Sequence, residues 1–266
     1  MVEKIQLMGI VNLTGDSFYS GSRMLGADGN VDIGRLLSRV ETMLSEGADF
    51  IDLGACSTRP GSKPVGAEEE WRRLSPALNA LRGAFPGLRI SVDTYWSSVV
   101  ERVFDTAGPF LVNDISAGAA DPAMLPTVGR LGLPYVAMHS RGTPQTMALL
   151  TDYDDVVEDV KTFFRGFECI AREAGITDWI LDPGFGFAKT LEQNWTLLER
   201  LHEFLEFGRP ILVGISRKSM IYKRFNLTPE TALAQTQRAH LLAVEQGANI
   251  LRVHDVAGAL PAYSTV

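Results

Sequence analysis

Residues 33–53 read IGRLLSRVETMLSEGADFIDL, a stretch that carries both structural periods of the chain. Ile33, Leu36, Leu37, Val40, Met43 and Leu44 recur at the i, i+3, i+4, i+7 spacing of a helix with one apolar stripe. Gly47 stands where such a helix stops, since a residue without Cβ turns left-handed at low cost. Three residues on, Phe50–Leu53 is a short apolar run, as a strand buried on both faces should be. The same alternation recurs outward in both directions. The runs Ile5–Val11, Arg89–Val92, Phe110–Val112, Tyr135–Met138, Trp179–Leu181, Ile211–Val213 and Asn249–Arg252 bring the strand count to eight. Helical spacing returns at Val156, Val160, Phe163, Phe164, Phe167, Ala171 and Ala174, closed by Gly175. Asp121-Pro122 and Thr228-Pro229 each read as an N-cap followed by proline in the first turn. Strand then helix, with crossovers long enough for parallel pairing, predicts an α/β fold, a (β/α)8 TIM barrel. The structural alternative is a doubly wound open sheet.

Composition narrows the class. The 266 residues suit one barrel, so residues 1–266 read as one domain without a linker or low-complexity segment. Hydrophobic residues make up 45% and charged residues 21%, enough apolar surface for a sizeable core. A net charge of −7 argues against a nucleic-acid partner, which selects a basic face. Cys56 and Cys169 are too few for a disulfide framework, so a reducing cytoplasm is the expected location. No segment reaches the roughly 18 apolar residues of a membrane span, and the N-terminus does not read as a signal peptide.

The strand endings carry the chemistry. Strand one ends at Asn12, strand two carries Asp52, strand three ends at Asp93 and strand four at Asn113-Asp114. Strand five runs into His139, strand six into Asp182, strand seven into Ser216-Arg217-Lys218-Ser219, and strand eight into Arg252 and His254. Any one Asp or Asn there could be a turn former. A whole rim of them is different, because buried unpaired carboxylates are costly unless something satisfies them. In a barrel these positions meet on the carboxyl-end face, where catalytic sites lie. Asp93, Asn113 and Asp182 offer acceptors and one amide donor, which suits a flat heterocycle bearing several N–H groups. Arg59, Arg252, His254 and Lys218 offer positive charge or donors, which suits phosphate. A heterocycle carrying a phosphate or pyrophosphate explains both halves.

Two loops, Leu13–Asn30 and Ala55–Ala67, are long and glycine-rich, as functional loops often are. Gly184 and Gly186 of DPGFGFAKT read as turn glycines, because the P-loop spacing is missing.

MGIVNLTGDSF, DLGACSTRPG, SVDT, NDIS, MHSRGTPQTM, DPGFGFAKT, GISRKS and ILRVHDV stand in this order from Met8 to Val256. In content and spacing they resemble the dihydropteroate synthase family of pterin-binding enzymes. The resemblance implies condensation of a pterin pyrophosphate with p-aminobenzoate in folate biosynthesis, Mg2+ as cofactor, a homodimer, and membership of the target class of sulfonamides. It implies a pterin pocket of Asp93, Asn113, Asp182, Lys218 and Arg252. It implies a pyrophosphate site of Asn12, Arg59, Arg252 and His254, with Asn12 as the magnesium ligand. It implies a p-aminobenzoate site of Phe18, Thr58, Pro60 and Ser219, and catalytic roles for Asp16, Phe18, Arg59, Lys218 and Arg252. The chain departs from the family pattern at Gly15, where proline is common, and at Ala55-Cys56, where Gly-Glu is common. Cys56 lacks an evident histidine partner in sequence, so it does not read as a nucleophile, and Cys169 reads as a buried helix residue. His139 reads as a residue that holds its neighbours by hydrogen bonds; His202 and His240 read as structural. The tail AGALPAYSTV leaves room for only a short final helix. Two other functions compete: a corrinoid-dependent pterin methyltransferase, which has no need of Arg59, Lys218 and His254 as an anion and aryl-amine site, and a non-catalytic pterin-binding paralogue.

Overall fold

The computed structural model describes residues 4–14, 24–26, 29–56 and 65–259. The strands are β1 (Gln6–Asn12), β2 (Phe50–Gly54), β3 (Ile90–Asp93), β4 (Leu111–Asp114), β5 (Tyr135–Met138), β6 (Trp179–Asp182), β7 (Leu212–Val213) and β8 (Ile250–Val253). All eight pair in parallel in the order β6-β5-β4-β3-β2-β1-β8-β7. A parallel bridge between Leu181 and Ile211 joins the two ends, so the sheet closes as a barrel. The doubly wound alternative is thereby set aside: neighbours in sequence are neighbours in space, and β1 sits between β2 and β8.

The helices are α1 (Ile33–Ser45), α2 (Ala67–Ala84), α3 (Ser97–Ala107), α4 (Met124–Leu131), α5 (Val156–Glu173), α6 (Leu191–Glu199), α7 (Ser219–Tyr222) and α8 (Leu233–Glu245). Asp32 caps α1 through the Arg35 N–H, and Asp155 caps α5 through those of Val157 and Glu158. Gly47 and Gly175 follow α1 and α5 at φ of 99° and 77°, in the conformation that ends a helix. Two expected starts shift. Asp121 accepts from the Ala123 N–H, but the helix proper begins at Met124. Thr228-Pro229 belongs to a turn closed by Thr231, and α8 begins only at Leu233. Cys169 is also corrected: it is exposed on α5, on the face turned from the barrel. Past β8, Val256 to Ala259 forms a turn.

Period two along the strands sorts the side chains. Val11, Ile51, Leu53, Val92, Val112, Ala137, Leu181, Val213, Leu251 and Val253 pack outward against the helices. Met8, Phe50, Leu111, Val136, Ile180, Leu212 and Ile250 point inward and form a separate apolar plug. Burying each of these large side chains is worth roughly 1.5–3 kcal/mol. Arg89 lies over the Phe50 ring at 3.7 Å, against the same plug. The next inward layer begins two residues further along each strand, and it carries charged and polar side chains among a few apolar ones.

Candidate active site

Adding two to each plug residue gives Ile10, Asp52, Asn113, Met138, Asp182, Gly214 and Arg252; β3 contributes Asp93 to the same layer. All but Asp52 line a cavity of about 290 Å3 above the plug. Asn12, Ser216, Lys218, Ser219 and His254 line it too, one step nearer the mouth. The cavity therefore collects Asn12, Asp93, Asn113, Asp182, Lys218, Ser219, Arg252 and His254, each expected in the site from sequence. Asp16, Phe18, Thr58, Arg59 and Pro60 lie outside the described residues, as do most of both long loops.

Arg252 is the centre of the layer. Its Nε donates to Asp52 Oδ2 at 2.7 Å, and its Nη2 lies 2.6 Å from the same oxygen. Nη2 also donates to Asp93 Oδ2 at 2.9 Å. Burial disfavours the guanidinium charge, but Asp52 and Asp93 together outweigh this and hold Arg252 above the ordinary arginine range. Sequence reasoning noted Asp52 and gave it no role. The structure shows why it matters: fully buried, it also accepts from Ser91 Oγ at 2.6 Å and from Asn113 Nδ2 at 3.3 Å. Its signal was a lone carboxylate inside an apolar strand, which the fold tolerates only with partners.

One guanidinium thus serves two carboxylates, and Asp93 carries the excess. Burial, with Asp52 and Asp114 adding repulsion, pushes its carboxyl up to about 7 despite the pull of Arg252. Burial also raises Asp182, opposed first by Lys218 and then by the Gly184 N–H, which donates to its Oδ1 at 2.8 Å. Asp114 turns away from the cavity, bonded to Ser116, Gly118 and Tyr135, and is a turn former.

Lys218 donates from Nζ to the Phe185 carbonyl at 2.6 Å and sits 4.9 Å from the centre of the Phe187 ring. Burial brings its ammonium down to about 8, with Asp182 resisting. The neighbouring Arg217 also lines the cavity, but its guanidinium pairs with Asp255 at 2.7 Å and donates to the carbonyls of Pro229 and Glu230. Those bonds brace the loop that presents Lys218 and Ser219. His254 is held by Ser216, whose Oγ lies 3.2 Å from its Nδ1. Burial, then the charge of Arg252, depresses His254 to about 3, so it offers neutral imidazole hydrogen bonding and no charge. His139 is buried below the rim and contributes no lining to the cavity. His202 is hydrogen-bonded to Gln246 and His240 to the Ala259 carbonyl. Cys56 does line the cavity, half-buried against Tyr95 Oη at 3.5 Å; burial raises its thiol, the reverse of nucleophile activation.

Concave, apolar at the floor and charged at the wall, the site is that of a barrel enzyme acting on a flat polar heterocycle with an anionic group. The chain belongs to the pterin binding enzyme family, whose profile matches residues 8–254. It falls, within that family, among the dihydropteroate synthases. The Haemophilus influenzae dihydropteroate synthase is 41% identical over 254 residues, covering 95% of this chain and 89% of its own. The crystal structure of the Yersinia pestis dihydropteroate synthase with a sulfonamide drug complex superposes at a TM-score of 0.87, with 37% identity and 97% and 90% of the two chains covered. The Thermus thermophilus enzyme in complex with 4-aminobenzoate superposes at 0.82, with 40% identity and 97% and 91% covered.

Proposed function

We propose that this chain condenses 6-hydroxymethyl-7,8-dihydropterin pyrophosphate with p-aminobenzoate, giving 7,8-dihydropteroate and pyrophosphate. One observation carries the assignment of roles: a single inward layer sets Asp93, Asn113 and Asp182 beside Lys218 and Arg252 in one closed-bottomed cavity. The carboxylates and the amide take the N–H edge of the pterin. Arg252 and His254, with Asn12 and Arg59, take the pyrophosphate. Ser219 takes the aryl carboxylate, together with Phe18, Thr58 and Pro60. Asp16 completes the set of expected catalytic residues.

The bond between the 6-methylene carbon and the pyrophosphate oxygen breaks, and its electron pair leaves with pyrophosphate. Asp93 and Asp182 stabilise the pterin cation left behind, while Arg252 and neutral His254 hold the departing anion. The amine lone pair of p-aminobenzoate then forms the new C–N bond, and the amine loses its proton to solvent. Ile10, Met138, Met147 and Phe187 wall the cavity and keep competing water from the cation.

Magnesium fits this donor set in a limited way. Among the described residues no group of three His, Cys, Asp or Glu could hold a metal ion. The side-chain oxygen of Asn12 is a single hard ligand at the cavity wall, so pyrophosphate and water must supply the rest, as Mg2+ tolerates. When bound there, the ion offsets the charge of the leaving group.

No helix among the described residues is long and apolar enough to cross a membrane. A cytoplasmic homodimer is the state that the family likeness supports; sedimentation of the purified protein tests the dimer. The deciding assay measures pyrophosphate release from the pterin substrate with and without p-aminobenzoate. Release that requires both substrates is expected. No release, with methyl transfer from a methylated pterin to a corrinoid instead, would mark the corrinoid-dependent reaction, and pterin binding without turnover would mark a non-catalytic paralogue.

A further inference from the structure

Lys189 is buried without an ion-pair partner among the described residues, and no role yet described uses it. Its Nζ has three acceptors around it: His139 Nδ1 at 3.0 Å, the Gly184 carbonyl at 3.0 Å and the Phe187 carbonyl at 3.1 Å. Three is also the number of protons an ammonium donates. Since that group only donates, the His139 ring proton is assigned to Nε2. Burying a charge this way is costly, and a neutral, well-packed side chain would do as well for stability alone.

The acceptors explain what the bonds achieve. His139 stands at the end of β5, and its N–H donates to the Asp182 carbonyl at 2.9 Å. Gly184 and Phe187 stand on either side of the turn after β6. One side chain therefore staples both arms of that turn to the barrel rim. Gly184, at φ 73°, passes so close to β5 that a Cβ would fall 1.9 Å from the His139 carbonyl oxygen. The stapled turn in turn orients two groups of the cavity. Its Gly184 N–H holds Asp182 Oδ1, and its Phe185 carbonyl holds Lys218 Nζ. The Phe187 ring lies on the cavity wall beneath Lys218, whereas Lys189 does not reach the cavity.

We propose that Lys189, seated on His139, is a positioning residue that sets Asp182 and Lys218 at one spacing for the pterin ring. This rests on the reading of that wall as the pterin pocket. Lys189→Met takes the ammonium from the Phe187 carbonyl and the His139 ring nitrogen, leaves the Gly184 carbonyl only the Phe187 N–H, and lets the turn relax. The expected loss is on the order of 10–100-fold in affinity for a pterin lacking pyrophosphate, since misplacing a binding group by about an ångström costs that much. The Michaelis constant for the pterin substrate should rise by a similar factor, with kcat changed much less.

Calorimetric titration with 6-hydroxymethylpterin, on native protein and variants folded by circular dichroism, tests this. Native protein that fails to bind the pterin overturns the pocket reading, and the inference with it. Native binding with an unchanged Lys189→Met affinity overturns the inference alone, as does a variant whose kcat falls while its Michaelis constant stays native. A pair at the other end of the bond covers the case in which Lys189→Met fails to fold. His139→Asn keeps an acceptor near the position of Nδ1 and should bind pterin nearly as the native protein does; His139→Leu should show the loss. Equal affinities for that pair overturn the proposal.

Discussion

Asp52→Asn removes one negative charge from a cluster in which Arg252 is shared, and its consequences can be worked out group by group. Asp52 Oδ2 accepts from Arg252 Nε at 2.7 Å and lies 2.6 Å from its Nη2, and Oδ1 accepts from Ser91 at 2.6 Å. An asparagine can face its oxygen to Arg252 and its amide to Ser91, so the geometry survives but the charge assistance does not. Breaking a buried ion pair outright costs about 3–5 kcal/mol. Here Asp93 remains 2.9 Å from Nη2 and inherits the guanidinium. The net loss should be about 2–3 kcal/mol, the difference between charged and neutral bonds made twice. The loss should also depend on pH. In the native protein Asp93 has its carboxyl raised to about 7, so its contribution is full below the unfolded carboxylate range and is lost as pH rises through about 7. Without Asp52 opposite it, and with Arg252 to itself, Asp93 ionises lower, and the variant escapes that loss. Its deficit should therefore be largest near pH 5 and narrow toward pH 8, by at most about 1.4 kcal/mol per pH unit. Urea unfolding of both proteins across this range measures the deficit directly. A deficit that is constant with pH, or that widens as pH rises, would refute Asp52 as a charge that adds to the effect of burial in raising Asp93.

Three further outcomes are expected. Asp182→Asn places an amide donor among pterin donors and should cost about 2–4 kcal/mol of pterin binding in a folded protein; near-native affinity by calorimetry would count against the pocket. Glu70 is fully buried in α2, and burial raises its carboxyl to about 8 against the opposing pull of Thr94. Its contribution to stability is lost as pH rises through that value, so Glu70→Gln should gain on the native protein steadily between about pH 5 and 8, and parallel melting curves would contradict this. The polar layer lies directly above the plug and Ser219 lies near the mouth, so the bound pterin forms part of the floor for p-aminobenzoate. Affinity for p-aminobenzoate should then rise when pterin and magnesium pyrophosphate are present, with reciprocal tightening of pyrophosphate; identical affinities in both titrations would mean the aryl site is preformed.

The eight strands were legible because each is a short apolar run bounded by breakers, and their ends were legible because polar residues follow at once. The family motifs then named the site residues that converge on the cavity. Three features were out of reach. Thr228-Pro229 looked like a helix start, but a threonine and a proline serve a turn as readily, and only packing decides. Cys169 looked buried because its helix is amphipathic, yet it sits just off the apolar stripe. Lys189 drew no reading, since a lysine in sequence carries no sign of being sealed among backbone carbonyls.

By itself, then, the sequence determined the eight apolar runs, the helical period of α1 and α5, the residues that end each strand and the chemistry gathered on one rim. What only the tertiary structure decided is how those charges are shared. Arg252 stands 200 residues from Asp52 and 159 from Asp93 along the chain, and the pairing of β8 with β1 in the curved sheet brings the three within hydrogen-bonding distance. Burial then sets their protonation, because a charge removed from water is governed by the few groups beside it. Local sequence cannot specify that neighbourhood: it is assembled from β2, β3 and β8, which meet only when the last strand pairs beside the first.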